Sequence, residues 1–481
     1  MIVNLIRIVS ALLGIVGFTL IVPLVTAVAC KEFSVILSFA VPMLASWLLF
    51  FLTNIVLFRK KKVNLSIRAT FLIVAAAWIF TSLFGAIPFV ASGCIPSFTD
   101  AFFESVSGFS TTGATILSEI ESLPRSINLW RCMTHWLGGM GIVALTVALL
   151  PLLGVGGFQL IKAETTGPEK SKITSKITTT AKVLWLIYMV LTLLQTVILM
   201  FCGMDFIDAL SHSFATLGTG GFSTRNASVG SYGSVSIDIV CTVFMFLAGI
   251  NFSLFYFAVT RKYTEIRENS ELKAYTAVVF ICIAVVTFFL LPVYGSFGTA
   301  LRYSAFQVVS IITTTGFATA DYTFWPPAAQ FFILLLFFIG ACSGSTGGGI
   351  KIIRWVVLFK QTGNEMKRML HPHGVFSIRL NNRPARSDII FNVTAFFTVY
   401  LVLVFVTVFA GCAAHLEIFT SFSAALSMVG NVGPAFGQLG PAFNYGFLPS
   451  ALKWWYCFAM IAGRLELYTM ILFFIPSYWK K

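Results

Sequence analysis

The chain has 481 residues, of which 58% are hydrophobic and only 10% charged, with a mean hydropathy of +0.90. That is too little polar surface to cover a water-soluble globule, so the chain belongs in a bilayer. Its net charge of +14 does not point to nucleic acid, because the basic residues are dispersed over several loops with no recognition module.

A spanning helix needs about 20 mostly apolar residues. At least ten segments qualify: 3–29, 35–58, 69–92, 126–154, 182–203, 232–260, 274–294, 325–359, 388–411 and 447–477. The first apolar run is long and lacks a small-residue cleavage site, so it reads as a retained anchor. Of the 32 Lys and Arg, 20 fall in 59–68, 162–182, 261–273 and 360–386. The positive-inside rule puts these loops in the cytoplasm, and Lys480 and Lys481 put the C-terminus there too. The nine cysteines form no CxxC pair, and several, such as Cys202, Cys241, Cys282 and Cys457, read as packing residues. The five histidines are scattered, the nearest pair being His371 and His373, so no metal centre and no cofactor are expected.

After a first helix pair (1–65), one order recurs four times: apolar helix, short helix, glycine loop, apolar helix. The units are 66–160, 180–262, 272–360 and 386–479. Repeats of this kind signal assembly about a pseudo-symmetry axis, and the expected fold is an all-α polytopic membrane protein. The short helices, over 98–110, 205–217, 299–312 and 416–429, cannot span. Three begin with acids: Asp100 and Glu104, Asp205 and Asp208, and Glu417. Carboxylates there complement the helix macrodipole by about 0.3–1 kcal/mol each; near an outer mouth they would also concentrate cations.

The loops read Ser110-Thr111-Thr112-Gly113-Ala114-Thr115, Thr219-Gly220-Gly221-Phe222-Ser223-Thr224, Thr313-Thr314-Thr315-Gly316-Phe317-Ala318-Thr319 and Asn431-Val432-Gly433-Pro434-Ala435. Their tip glycines are 108, 95 and 117 residues apart. Non-helical backbone at membrane depth survives only where it is buried in protein or lines a water-filled path. Four loops presenting carbonyls to one axis could replace the hydration shell of a potassium ion. The competing reading is four tight turns or close helix contacts. The candidate ion-binding residues are Thr111, Thr112 and Gly113; Thr219, Gly220 and Gly221; Thr314, Thr315 and Gly316; and Asn431, Val432 and Gly433.

Within 325–359 lies Gly340-Ala341-Cys342-Ser343-Gly344-Ser345-Thr346-Gly347-Gly348-Gly349-Ile350-Lys351, which breaks the helix. Its spacing is not that of a phosphate-binding loop, and no strand precedes it. Gly344, Gly347, Gly348 and Gly349 mark a movable plug or a static kink, since each costs roughly 1 kcal/mol inside a helix. Lys351 and Arg354 read as cytoplasmic anchors at the lipid interface. In the last span, Arg464 and Glu466 point to different sides of a helix. Arg464 either clamps a helix end or carboxylate, or projects into a pore and opposes cation passage.

These motifs, with Thr-Thr-Gly-Ala-Thr at 111–115, Gly-Thr-Gly-Gly-Phe-Ser-Thr at 218–224, Thr-Thr-Gly-Phe-Ala-Thr at 314–319 and Gly-Asn-Val-Gly-Pro at 430–434, resemble the Trk/Ktr/HKT superfamily of potassium transporters. Within it the chain is similar to the bacterial Trk-type potassium-translocating membrane subunit, which carries an extra N-terminal helix pair. The resemblance covers essentially the whole chain. It implies one selectivity filter per subunit, potassium preference from a glycine in all four loops (Gly113 included), and gating by the 340–351 loop and Arg464. It also implies a homodimer in the bacterial cytoplasmic (inner) membrane, docked to a cytosolic ring of nucleotide-binding regulatory subunits of the TrkA kind, with the basic loops 162–182 and 360–386 as candidate docking surfaces. The fourth loop, with Val432 and Pro434, departs most from the others. The expected function is channel-like potassium uptake; the alternative is a symporter coupling potassium to sodium or protons. No nucleophile and base constellation supports an enzyme.

Overall fold

The computed structural model describes residues 2–58, 66–141, 177–384 and 388–480. Among these, structure is almost wholly helical, and one two-residue antiparallel hairpin, β1 (Arg379–Leu380) with β2 (Arg383–Pro384), is the extent of the sheet. Arg59 to Lys62, the part of the 126–154 span beyond 141, most of the basic loop 162–182 and Lys481 lie outside the described residues.

In chain order, α1 (Ile2–Thr19) and α2 (Ile21–Ala29) make one rod, and α3 (Ile36–Phe50) packs back along α1. A small polar cluster ties α1 to Phe51–Leu57, the helical continuation of α3: Arg7 Nε donates to Asn54 Oδ1 at 3.4 Å, and the Ser10 and Thr53 hydroxyls lie 2.7 Å apart. Polar groups facing each other between helices are thereby kept from hydrocarbon. The lipid side is the stripe Leu37, Val41, Leu44 and Leu48, spaced at helical intervals and exposed.

Next come α4 (Ile67–Ala91), α5 (Phe98–Phe109), α6 (Arg125–Gly139), α7 (Ile177–Phe201), α8 (Phe206–Leu217), α9 (Val235–Ala248), α10 (Phe252–Val259) and α11 (Tyr263–Arg267). Then follow α12 (Ser270–Tyr294), α13 (Phe297–Ile312), α14 (Pro327–Leu336), α15 (Ile352–Leu370), α16 (Asp388–Ala413), α17 (Ile418–Gly430), α18 (Ser450–Arg464), α19 (Tyr468–Ile471) and α20 (Pro476–Trp479). Side-chain caps set several starts: Ser66 accepts from Ala69 N, Asp205 from Ile207 N and Asn269 from Leu272 N.

Six helices among the described residues are long and apolar enough to cross a membrane: Ile2–Ala29, Phe33–Leu57, Arg68–Ala91, Thr179–Phe201, Ser270–Tyr294 and Asp388–Ala413. The short helices α5, α8, α13 and α17 each lie against the long helix before them. Their last turns are buried on all sides, as in 104–109 and 423–430. A helix hidden all round sits inside protein, not against lipid.

Two runs expected as continuous spans are broken. Within 232–260, α9 and α10 meet at 93°; within 447–477, α18 and Tyr468–Phe474 meet at 120°. At the first break a Cβ on Gly249 would stand 2.4 Å from the Tyr275 hydroxyl, and Asn251 caps the new helix by accepting from Ser253 N at 2.9 Å. At the second, Glu466 and Leu467 both take positive φ, and Tyr468 N donates to Glu466 O at 2.6 Å across Leu467. That is the strained form of the γ-turn, and composition carries no trace of it.

Candidate functional site

In each glycine loop two residues sit in the left-handed region with one ordinary residue between them. They are Thr111 (φ 56°) and Gly113 (81°), Thr219 (52°) and Gly221 (77°), Thr314 (57°) and Gly316 (80°), and Asn431 (56°) and Gly433 (98°). A left-handed non-glycine residue costs on the order of 1–3 kcal/mol and persists only where its surroundings fix it. Here Thr219 Oγ1 donates to Gly218 O at 2.7 Å, and Thr314 Oγ1 accepts from Gly348 N at 2.7 Å. Asn431 Nδ2 donates to Thr112 Oγ1 at 3.0 Å and to Met460 O at 2.9 Å.

The tip glycines are forced by their neighbours. A Cβ on Gly113 would stand 1.9 Å from Gly220 O, on Gly221 2.0 Å from Thr315 O, on Gly316 2.3 Å from Val432 O, and on Gly433 2.4 Å from Thr112 O. Each tip packs on the carbonyl before the next tip, and the fourth returns to the first, so the loops close a ring in chain order. No donor among the described residues takes the carbonyls of Thr112, Gly220, Thr315 or Val432. All four tip glycines line one cavity of about 110 Å³, together with Thr115, Asn226 and Asn444. The fourth loop shares the backbone pattern despite its sequence; its difference is that Gly433 O accepts from the Tyr445 hydroxyl at 2.8 Å.

Behind the ring sits a support that sequence reading missed. Glu104 and Arg131 form an ion pair at 2.6 Å with side chains 0% and 1% exposed. The same carboxylate accepts from Thr115 Oγ1 at 2.9 Å and Ile116 N at 2.9 Å, while Arg131 Nη1 donates to Ser223 O at 3.0 Å. One pair thus holds the first loop and joins it to the second. His135 faces the Gly108 carbonyl with Nδ1 (2.9 Å) and accepts from Phe222 N with Nε2 (3.2 Å), which fixes the proton on Nδ1. The detectable signal was an arginine and a histidine inside an apolar run, where ionisable groups are costly.

Most of the acids of the short helices are ion-paired, Glu104 with Arg131 among them, while Glu417 is exposed. Asp100 pairs with Lys453 (2.6 Å), Asp205 with Arg125 (2.6 Å) and Asp208 with Arg225 (3.2 Å), and the cavity wall carries Arg131 and Arg225 but no carboxylate. Asp208 also accepts from the Tyr232 hydroxyl at 3.0 Å.

Beneath the ring lies the 340–351 loop, reversed by Gly344 (φ 72°) and Gly349 (66°) and closed at its base by Gly340 N donating to Ile350 O at 2.8 Å. It bears directly on two of the glycine-loop stems: a Cβ on Gly347 would stand 2.9 Å from Thr313 O, and one on Gly348 2.5 Å from Gly430 O. The α9–α10 break receives its other side, with Cys342 N donating to Gly249 O and Phe252 N to Gly344 O, both at 3.0 Å.

Arg464 spans this loop and α6. Nη1 donates to Thr346 O at 2.8 Å, and Nη2 to Gly138 O at 2.6 Å and Gly139 O at 2.8 Å. It therefore clamps a helix end and touches the glycine loop at once. Lys351 and Arg354 are not interface anchors: they are 2% and 6% exposed. Lys351 Nζ donates to Gly347 O, and Arg354 pairs with Glu466 and lies 3.7 Å over the Phe396 ring. Buried carbonyl, carboxylate and ring partners hold these cations inside.

The family model described as TrkH, cation transport protein, matches residues 40–481. The Trk system potassium uptake protein TrkH of Escherichia coli (strain K12) is 40% identical over 428 residues, 88% of each chain. That of Vibrio parahaemolyticus is 35% identical over 487 residues, 99% of each chain. The crystal structure of the potassium transporter TrkH from Vibrio parahaemolyticus superposes with a TM-score of 0.86 at 34% identity, covering 100% of both chains. The chain belongs to the TrkH family of cation transport proteins, a transporter family and not an enzyme family.

Proposed function

We propose that the chain takes up potassium across the cytoplasmic membrane through a channel-like pore whose selectivity filter is the ring of four glycine loops. The observation that carries this reading is that Gly113, Gly221, Gly316 and Gly433 line one cavity, beside four carbonyls that no donor among the described residues occupies. Oxygen dipoles left free of internal partners are suited to replace a cation's hydration shell. The C-terminal ends of α5, α8, α13 and α17 lead into the loops and add partial negative charge where a dehydrated cation would sit. Thr111, Thr112, Thr219, Gly220, Thr314, Thr315, Asn431 and Val432 set the backbone of the ring.

Below it, the 340–351 loop is the gate, with Gly344 and Gly349 as its reversals and Gly347 and Gly348 as its bearing points on the filter stems. Arg464 holds it closed through Thr346 O; each bond from a charged donor contributes roughly 1.5–3 kcal/mol. The names of the relatives support potassium as the cargo. Family resemblance further supports a homodimer docked to a cytosolic nucleotide-binding ring, with the C-terminus in the cytoplasm.

The test is rubidium uptake into sealed liposomes containing the purified chain, with potassium and sodium as competitors. Saturable uptake blocked by potassium and not by sodium is the expected result; uptake equally sensitive to sodium, or dependent on a sodium or proton gradient, would favour coupled transport.

A further inference from the structure

One buried carboxylate is used by neither the ring nor the Arg464 clamp. Glu271 stands in the first turn of α12, is 6% exposed, and reaches the gate loop at Ser343, whereas Arg464 reaches it at Thr346. Its Oε1 accepts from Ser343 N at 2.7 Å and from Ile353 N at 3.2 Å. Those two amides lie on the loop's two arms: Ser343 follows Gly340 to Cys342 on the outgoing arm, and Ile353 is in the first turn of α15. A single oxygen therefore joins the outgoing and returning arms just beyond the backbone bonds, Gly340 N to Ile350 O and Ile352 N to Ala341 O, that close the loop's base.

The base of this contact is itself fixed. Ser270 N donates to Asn381 Oδ1 at 2.9 Å, and Asn381 N to Ser270 Oγ at 3.1 Å, so the β1–β2 turn grips the residue next to Glu271. Asn269 caps the same helix. Ile353 and Leu380 share a small apolar core with Val357 and Val393, which keeps the returning arm beside the hairpin.

The geometry points to Glu271 as a positioning residue for gating: its carboxylate clasps both shoulders of the loop and confines movement to 344–349. This assignment rests on the reading of the loop as the gate. It requires that the hydrogen-bonding reach of the side chain matters and its charge does not. Two substitutions separate these. Glu271→Gln keeps an oxygen at the same reach and loses the charge; Glu271→Asp keeps the charge and shortens the reach by one methylene.

Rubidium uptake is measured for wild type, Glu271→Gln, Glu271→Asp and Glu271→Ala, with the rubidium-to-sodium ratio recorded for each. The expected result is uptake within twofold of wild type for Gln, and raised roughly threefold or more for Asp and Ala, a change that a shift of about 0.65 kcal/mol in a closed-to-open equilibrium produces, with the ratio unchanged throughout. Raised uptake in Gln with wild-type uptake in Asp would make charge the cause and overturn the clasp. Unchanged uptake in Asp and Ala would overturn it as well, and so would a changed ion ratio, which would mean damage to the filter. If Ala does not yield folded protein, the Gln and Asp pair decides alone. Wild type without uptake would instead sink the pore reading.

Discussion

The ring of tip glycines and the loop beneath it use the same residue types and are held in different ways. In the ring, each glycine is imposed by a neighbouring backbone carbonyl, and the four contacts close on themselves. Below, the 340–351 loop occurs once and adds to its backbone contacts a set of side-chain bonds, from Arg464, Lys351 and Glu271. Backbone against backbone leaves no alternative packing, whereas a clamp made of side-chain hydrogen bonds can release one bond at a time. The first arrangement suits discrimination by fixed distances, and the second suits opening and closing.

The contrast can be broken most severely from behind the ring. Replacing Glu104 by Ala leaves Arg131 buried without its carboxylate and frees the Thr115 and Ile116 contacts. Breaking one side of a buried pair costs about 3–5 kcal/mol, so a large drop in melting temperature in detergent is expected; a melting temperature like wild type would remove the pair from the ring's support.

On the proposed gate reading, removing the Arg464 side chain should loosen the 340–351 loop and leave the ring intact. Loss of even one bond from a charged donor, roughly 1.5–3 kcal/mol, shifts closed-to-open balance by tenfold or more, so Arg464→Ala should raise rubidium uptake by about that factor with unchanged selectivity. Uptake that stays at the wild-type level in folded protein would count against the clamp. A smaller effect is expected for Lys351→Met, which removes one donor acting within the loop on Gly347 O where Arg464 makes three bonds that reach beyond its own helix; uptake should rise by less than in Arg464→Ala. The smallest belongs to Asp205→Asn, whose partner Arg125 is about half exposed: exposed pairs contribute about 0.2–1 kcal/mol, and neither stability nor uptake should move appreciably.

The glycine loops were legible in the sequence because glycine beside threonine between long apolar runs has few other uses at membrane depth. The short helices were legible because 12 to 16 residues cannot span, and they lie within a few residues of their expected limits. What stayed hidden depends on partners far along the chain. Lys351 and Arg354 look like any cations at the end of a span; only Gly347 O, Glu466 and Phe396 reveal them as buried. The break at Leu467 falls in Arg464-Leu465-Glu466-Leu467, residues with good helix propensity, and its γ-turn is imposed by tertiary packing around the fully buried Leu467. Glu104 and Arg131 are 27 residues apart, a separation that no local periodicity links.

The ring stands or falls on the equivalence of its four glycines. Gly113, Gly221, Gly316 and Gly433 are each replaced by Ser, and the rubidium-to-sodium uptake ratio is measured for every variant in the same liposomes. The expected result is a loss of selectivity in all four, because each serine Cβ would meet a neighbouring carbonyl at 2.4 Å or less. A ratio that falls in one variant and holds in the other three would contradict a four-loop filter.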